Sequence, residues 1–373
     1  MNSQEKVKES TNVNLLMEAS SMKGTGIAQL YPGRKFFGFF CSYWPEELVL
    51  AAGMEPIRIF PPAGNATPAE LPAFCCSLAR SSLSMARQGH LKDLAGVGLA
   101  HTCDTMQCLG GIWGEIPGQG GVLTMVPPVM LKASGAVRYY REEILVLARK
   151  LGDLSGVYPG NGEISRAVKL SERIRLLAAE LDEIRELLPS NTVSAIFRAG
   201  QLMPRDHYAQ SLEAALPELR EMASPFKGGR QPVLVSSAIL ESDGLFEMIE
   251  ELGGRVVADD TCTGYRHYSG VSGSVEDDPL DAIVRRYIEM TPCPCRNRGL
   301  DERVQYLEKL VRTRKTKGAI LVIRKYCDPH AWDAVPVAHR LRTCGMKVLV
   351  LELEGSEVGG QERTRLQAFL ESL

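Results

Sequence analysis

The chain has 373 residues, of which 45% are hydrophobic and 24% are charged, so it can bury a core and is not a disordered chain. Its formal net charge is −2 and its basic residues are scattered, which excludes an electrostatic basis for binding nucleic acid or an anionic membrane. Residues 1–26 lack the apolar centre of a signal peptide and the longest apolar runs are strand-length, so we expect a cytoplasmic protein without membrane spans.

The first part of the chain alternates between strand and helix patterns. A polar, helical leader over residues 1–34 precedes a first α/β lobe over residues 35–133. In that lobe GFFCSY, PIRIF, GVGLA and VLTMVP have the apolar character of buried strands, while PEELVLAAG and SLARSSLSMAR have helical spacing. Strands that alternate with helices predict a mostly parallel sheet covered on both faces.

The alternation of strand and helix patterns stops at residue 134 and resumes at residue 229. Residues 134–228 are rich in Leu, Glu, Arg and Ala at helical spacing and predict a connecting helical region. In residues 229–373 the runs PVLVSS, RVVADD, GAILVIR and KVLVLEL predict a second set of strands, and QERTRLQAFLESL predicts a last helix. The predicted fold class is α/β, with two similar parallel-sheet, Rossmann-like lobes joined by a helical segment.

Ten cysteines require an explanation, because cytoplasmic thiols stay reduced and structural disulfides are rare there. They do not form a CxxC array, which argues against a compact zinc ribbon or a ferredoxin-type run. Four of them follow predicted strands: Cys41, Cys103, Cys262 and Cys327. The carboxyl ends of strands line the binding crevice of open parallel sheets, so these four thiols are expected at a crevice.

The two lobes also echo each other around their cysteines. HTCDTMQC in the first resembles KYCDPHAW in the second, and FCCSLARSS resembles PCPCRNRGL. Each lobe thus offers three positions, and six thiols are expected to converge on the cleft between the lobes. Thiolates select Fe–S clusters, zinc or Cu(I), and six are too many for one tetrahedral zinc, which favours one large cluster or two clusters. The expected ligands are Cys41, Cys76, Cys103, Cys262, Cys293 or Cys295, and Cys327.

Two choices stay open at this point, Cys75 or Cys76 and Cys293 or Cys295. Cys108 is a weaker ligand candidate, and Cys344, before the last strand, is expected to be structural.

Three titratable residues near the cysteines are candidates for proton transfer. His101 precedes Cys103, His330 follows Cys327, and Glu47 follows Cys41, although capping or dipole contacts are the ordinary roles of such residues. The glycine-containing stretch GTGIAQLYPGR lacks the GK[ST] ending of a phosphate-binding loop, so we predict an ordinary loop there.

Several of these stretches are similar to a known family. FCSYWPEELVLAAG, CCSLARSS, and TCDT followed by IWGE resemble the 2-hydroxyacyl-CoA dehydratase and benzoyl-CoA reductase superfamily, and TCTG, PCPC and KYCD extend the resemblance into the second lobe. It covers the chain from about Lys35 onward. The cysteines at 41, 262 and 293 or 295 make the sequence most similar to the double-cubane cluster protein branch.

The resemblance implies a double-cubane [8Fe–9S] cluster on the six positions, in a homodimer that reduces small unsaturated or nitrogenous molecules. Electrons would come from a separate ATP-hydrolysing activator that contains a [4Fe–4S] cluster. The alternative is a subunit of a 2-hydroxyacyl-CoA dehydratase or a benzoyl-CoA reductase, with one [4Fe–4S] cubane on Cys76, a cysteine of the stretch 103–108, and Cys327. A third hypothesis is a non-catalytic electron-transfer or metal-storage protein.

Overall fold

Two four-stranded parallel sheets form the framework of the molecule. The computed structural model describes residues 11–22, 26–62, 66, 68–118, 120–224, 229–270, 278–295, 299–355 and 357–373. Both sheets have the same strand order, with the second strand in the chain at one edge and the first and third strands in the centre. The predicted α/β class with two similar lobes is therefore confirmed.

The first sheet has the order β2-β1-β3-β4, and Phe37 of its first strand lies level with Pro56 on one side and Gly96 on the other. The elements up to the end of this lobe are, in chain order, α1 (Thr11–Ser21), α2 (Gly26–Gln29), β1 (Phe36–Phe39), α3 (Glu46–Ala51), β2 (Glu55–Arg58), α4 (Ser77–Arg87), β3 (Gly96–Ala100), α5 (Asp104–Gly114) and β4 (Gly121–Met125).

A helical region follows, as predicted from its Leu-rich spacing. It contains α6 (Ala136–Ser155), α7 (Asn161–Ile184), a 3-10 turn (Arg185–Leu187), α8 (Ser190–Ala199) and α9 (Arg205–Met222). Helix α1 packs against α8 and α9 and buries Val13 and Leu16 completely, so the described part of the predicted leader contributes to the core. Residues 1–10 of that leader lie outside the described residues.

The second sheet has the order β6-β5-β7-β8, with Val233 level with Val256 and Gly318. Its elements are β5 (Gln231–Ser237), α10 (Gly244–Glu251), β6 (Gly254–Thr261), α11 (Tyr265–Tyr268), α12 (Pro279–Glu289), α13 (Leu300–Thr313), β7 (Gly318–Arg324), α14 (Asp328–Thr343), β8 (Lys347–Leu353) and α15 (Gly360–Ser372).

Helix α12 packs away from its own sheet. It contacts α6 and α7, and its buried Leu280, Ile283 and Tyr287 share one hydrophobic core with Phe37 of the first lobe. The chain after α12 therefore runs beside the loop that follows β1, where the hydroxyl of Tyr43 donates to the carbonyl of Thr291 over 3.2 Å. This packing brings the CPC stretch close to the first lobe.

Trp44 fixes the other end of the same loop. Its ring is fully buried and stacks on Phe37, with ring centroids 5.6 Å apart. A side chain at Gly98 of β3 would collide with this ring, so glycine is required there for the loop to lie flat on the sheet. The loop that carries Cys41 is thereby held against the central strands.

Among the described residues, no helix combines the length and apolarity that a membrane span requires. The division of the chain at residues 34, 133 and 228 stays a prediction.

Candidate metal centre

Cys41, Cys262 and Cys293 form one electrostatically interacting set. Burial, together with the neighbouring thiols of Cys262 and Cys293, raises the pKa of Cys41 to about 12. Cys41 lies in the loop after β1 of the first lobe, Cys262 directly follows β6, and Cys293 lies after α12. This set therefore takes thiols from both lobes.

Cys76, Cys103 and Cys327 form a second set. Each is the residue directly before a helix, α4, α5 and α14 respectively. Burial raises the pKa of Cys327 to about 12, with added repulsion from Cys76 and Cys103, while the backbone N–H of His330 opposes the shift. Burial likewise raises the pKa of Cys103 to about 11. This set also draws on both lobes.

Cys295 lies between the two sets. Its thiol donates a hydrogen bond to Cys293, which lowers the pKa of Cys293 and raises its own well above the usual range. Cys327 of one set and Cys41 of the other both raise the pKa of Cys295 further. The seven predicted cysteines thus interact as one group, with Cys293 and Cys295 both inside it.

The remaining cysteines are peripheral to these sets. Cys75 is buried and interacts with Cys76 and Cys108, and Cys108 is exposed on α5. Cys344 is exposed at the end of α14 and bonds to Glu308 over 2.9 Å. All ten cysteines are free thiols.

The spacing of the thiols differs from that of a single-ion site. Within the described ranges, no three or more His, Cys, Asp or Glu side chains are grouped closely enough to hold one metal ion. In a cubane each cysteine binds a different iron, so its ligands stand farther apart than the ligands of one ion. A multinuclear cluster therefore does not require such a grouping.

Arg58 connects the first lobe to Cys262. It is fully buried at the end of β2, and its Nη2 donates to the Sγ of Cys262 over 2.9 Å while its Nη1 donates to the Cys262 carbonyl over 2.7 Å. The carbonyl of Phe40, the side chain of Gln201 and the hydroxyl of Ser42 accept its other bonds, at 3.0, 2.7 and 3.2 Å. Burial would raise the pKa of Cys262, but Arg58 and Arg266 outweigh burial and lower it, which stabilises a thiolate there.

A chain of polar side chains leads from Cys262 to a cavity. The Ser42 hydroxyl lies 3.3 Å from the Sγ of Cys262 and 3.0 Å from Nδ1 of His267. The Nε2 of His267 lies 3.0 Å from Glu46, which also accepts a 2.7 Å bond from Arg205. Burial lowers the pKa of His267, so its ring is neutral near pH 7 and can accept at Nδ1 and donate at Nε2.

The predicted acid and base residues occupy different surroundings. Glu47 is buried and accepts from Tyr287 over 2.9 Å and from Arg175 over 3.3 Å, as an ordinary structural carboxylate does. His330 is buried, and burial together with nearby Arg266 and Arg303 lowers its pKa well below its usual value.

His101 is half-buried at the exit of β3, where its backbone N–H donates to the carbonyl of Met125. The catalytic roles predicted for Glu47, His101 and His330 stay predictions.

Sequence reasoning missed Ser42, Arg58 and His267. Ser42 is adjacent to Cys41, and His267 lies five residues after Cys262 in TCTGYRHY, so closeness to the predicted ligands was an available signal for both. Arg58 had no such signal, because it reaches Cys262 only after the two lobes dock.

Comparison with known proteins decides the family. A family model described as "2-hydroxyglutaryl-CoA dehydratase, D-component" matches residues 41–373. This chain belongs to that family. The resemblance inferred from the cysteine motifs is thus confirmed at the level of the superfamily.

Two relatives of this dehydratase-family chain illustrate its range. The (R)-phenyllactyl-CoA dehydratase beta subunit of Clostridium sporogenes is 23% identical over 349 residues, covering 91% of this chain and 92% of the relative. A benzoyl-CoA reductase subunit of Thauera aromatica is 24% identical over 346 residues, covering 88% of each. A dehydratase and a reductase are both represented, so membership is compatible with either reaction class.

A solved structure, the SBP FpvC from Pseudomonas aeruginosa in complex with Mn2+, matches at 14% identity and covers 91% of this chain and 96% of that one. Its TM-score of 0.21 is too low to indicate a shared fold.

Proposed function

We propose that this chain is an iron–sulfur reductase that holds a double-cubane [8Fe–9S] cluster and reduces small unsaturated or nitrogenous molecules. The observation that carries the proposal is the second set of interacting thiols, Cys41, Cys262 and Cys293, beside the set at Cys76, Cys103 and Cys327. One set of three thiols is enough for one cubane, and two adjacent sets support two.

The chemistry of the donor set fits such a cluster. The thiols are free and buried or half-buried, and burial together with repulsion from neighbouring thiols disfavours bare thiolates at Cys41, Cys103 and Cys327 unless bound metal neutralises them. Thiolates are the ligands that iron–sulfur clusters require. Cys295, between the two sets, is close enough to replace or assist Cys293.

The residues around the thiols have distinct tasks in this proposal. The bound cluster would supply electrons at low potential. Arg58 donates to Cys262 and holds a positive charge against this side of the site. The single Ser42 hydroxyl proton can bond to the Cys262 sulfur or to Nδ1 of His267, and Glu46 accepts a hydrogen bond from Nε2 of the same ring. The side chains Ser42 and His267 therefore replace His101 and His330 as our first candidates for proton supply.

The proposal includes the partners that the resemblance implies. Electrons would arrive from a separate ATP-hydrolysing activator protein with its own [4Fe–4S] cluster, and the chain would act as a homodimer in the cytoplasm. The free thiols support a reducing compartment.

Anaerobic iron and sulfide counting tests the cluster. We expect about eight irons per chain, on the arithmetic of three cysteines per cubane. Cys262→Ser and Cys41→Ser should each lose about half of the iron, while Cys344→Ser, a free thiol outside both sets, should lose none. About four irons in the unchanged protein would contradict the double cubane.

The second candidate function is that of a one-cubane dehydratase subunit, which the family model and the dehydratase relative favour. It requires only the set at Cys76, Cys103 and Cys327, so iron would be insensitive to Cys262→Ser and lost in Cys327→Ser. Incubation with the activator, reductant, ATP and a small alkyne separates the reactions. Consumption of the alkyne supports the reductase, and dehydration of a 2-hydroxyacyl-CoA ester supports the alternative.

The same iron assay decides between neighbouring cysteines. Cys76, which raises the pKa of both Cys103 and Cys327, is the proposed ligand. Cys75, which forms a hydrogen bond with Thr105 and interacts electrostatically with Cys108, is not. Cys76→Ser should lower the iron content and Cys75→Ser should leave it unchanged.

A further inference from the structure

A small polar cavity lies between the two lobes and the helical region, next to Ser42. It has a volume of about 40 Å³, room for about three water molecules. Ser42 and His267 line it on the side that leads to Cys262, and Arg286 of α12 lines it on another side.

The residues that line the cavity carry one more positive than negative charge, because Arg175, Arg205 and Arg286 face two glutamates. Glu46 is paired with Arg205, and Glu47 is paired with Arg175 at 3.3 Å. His267 is neutral near pH 7, because burial lowers its pKa.

Arg286 has no acidic partner of its own. Its two terminal nitrogens donate to the carbonyls of Ser269 and His267, and no carboxylate in the described part of the chain lies within ion-pair distance of it. Glu47 attracts it from farther away, but Glu47 is already bound by Arg175 and Tyr287.

Arg286 is also deeply buried, with 5% of its surface exposed. Burial and the charge of Arg175 lower its pKa to about 10, which leaves it charged at neutral pH. A buried cation without a counter-ion is strongly destabilising, so folds retain one where an anion completes the site.

The surrounding backbone makes room for this guanidinium. Gly270 has φ +110, a conformation that other residues rarely adopt, and a side chain there would collide with Nη1 of Arg286. The site therefore has a dedicated cation, a polar wall and a defined volume.

We propose that this cavity binds a small monoanion of about three heavy atoms, such as a carboxylate, held by the N–H groups of Arg286 that do not bond to the carbonyls of Ser269 and His267. The hydroxyl of Ser42 would lie between the ligand and the sulfur of Cys262. The proposal goes beyond the proposed function, because it requires only the folded chain and no particular cluster.

The test uses the anaerobically purified protein with its metal content as isolated. Its thermal midpoint is measured against increasing formate, with gluconate as a monoanion too large for the cavity and formamide as a neutral molecule of formate's size. We expect a saturable rise with formate alone, because a ligand that binds only the folded state raises the midpoint. An equal rise with gluconate or formamide, or no rise with formate, would overturn the proposal.

Variants identify the cation. Arg286→Met should abolish the response to formate, and Arg286→Lys should keep it with at least tenfold weaker affinity. Arg255→Met is the matched control, because Arg255 is also buried, also has a pKa lowered to about 10 by burial, but pairs with Glu250 away from this cavity. An unchanged formate response in Arg286→Met would refute the assignment.

If Arg286→Met fails to fold, the Lys variant and line broadening of carbon-13 formate in the unchanged protein decide instead. Iron is counted on the same samples, so loss of the anion site with full iron, or the reverse, separates this proposal from that of the cluster.

Discussion

Nη2 of Arg58, from the second strand of the first lobe, lies 2.9 Å from the sulfur of Cys262, which belongs to the second lobe. A fully buried guanidinium thus stabilises negative charge on one thiol, and no comparable bond is made to Cys103 or Cys327 among the described residues. The two thiol sets are therefore electrostatically unequal.

Replacing Arg58 should lower the reduction potential of the bound cluster. A hydrogen bond to a charged group contributes about 1.5–3 kcal/mol, which for one electron corresponds to roughly 65–130 mV. We expect a shift of this order in Arg58→Gln and a smaller one in Arg58→Lys, measured by a redox titration followed by EPR. Equal potentials in all three proteins would show that Arg58 serves packing alone.

His267→Gln should interrupt proton supply without loss of iron. Glutamine cannot reproduce the two opposite nitrogens that join Ser42 to Glu46, and a positioned proton donor contributes roughly 10²–10⁴-fold to a rate. We expect substrate reduction to slow and its solvent deuterium isotope effect to rise. His101→Gln is the matched control, since His101 lies outside this chain of bonds; a larger effect there would favour His101 as the proton donor instead.

Stability should depend on Glu46 in the acid range. Burial alone would raise the pKa of Glu46, but Arg205 and His267 lower it to about 2, below the unfolded value of about 4.3. A lowered pKa stabilises the folded state above about pH 4.3, and this contribution disappears as the pH falls towards 2. It amounts to about 3 kcal/mol, from about two units at 1.36 kcal/mol each.

Urea unfolding between pH 6 and pH 3 measures this effect. Glu46→Gln should be less stable than the unchanged protein at pH 6, and the difference should shrink towards pH 3. A difference that is constant with pH would show that the carboxylate is not ionised in the folded protein.

Gly98→Ala should destabilise the protein by about 1–3 kcal/mol, because the added methyl group collides with the ring of Trp44. Gly111→Ala is the control, since Gly111 lies in α5 with open space around its Cα and alanine there favours the helix. Chemical unfolding should show that the free energy of unfolding falls in Gly98→Ala and rises in Gly111→Ala. A neutral Gly98→Ala would mean that the Cys41 loop does not need its close approach to β3.

The strands and the cysteine positions were predictable because they depend on local pattern. Apolar runs such as GAILVIR specify strands, and parallel strands bring their carboxyl ends to one edge, so Cys103 and Cys327 could be assigned to the cleft from position alone.

The grouping of the cysteines was not predictable in this way. The family resemblance alone places Cys76 and Cys327 in one set. The cysteine positions indicated three thiols from each lobe but not which thiols of the two lobes belong together, and each interacting set contains thiols of both lobes. The reason is the packing of α12 on the first lobe, which carries Cys293 towards Cys41 and depends on long-range contacts that no local pattern encodes. Arg58 was missed for the same reason, whereas His267 had a local signal in its closeness to Cys262.

The mixed origin of each set bears on how the protein matures. The first lobe is synthesised before Cys262 and Cys327, and domains generally fold as units during synthesis, the N-terminal one first. A nascent first lobe can therefore offer Cys41, Cys76 and Cys103 but never a complete set of either kind. The proposed cluster would therefore be inserted only after both lobes are synthesised, and the delivery machinery would meet a finished, two-lobed recipient.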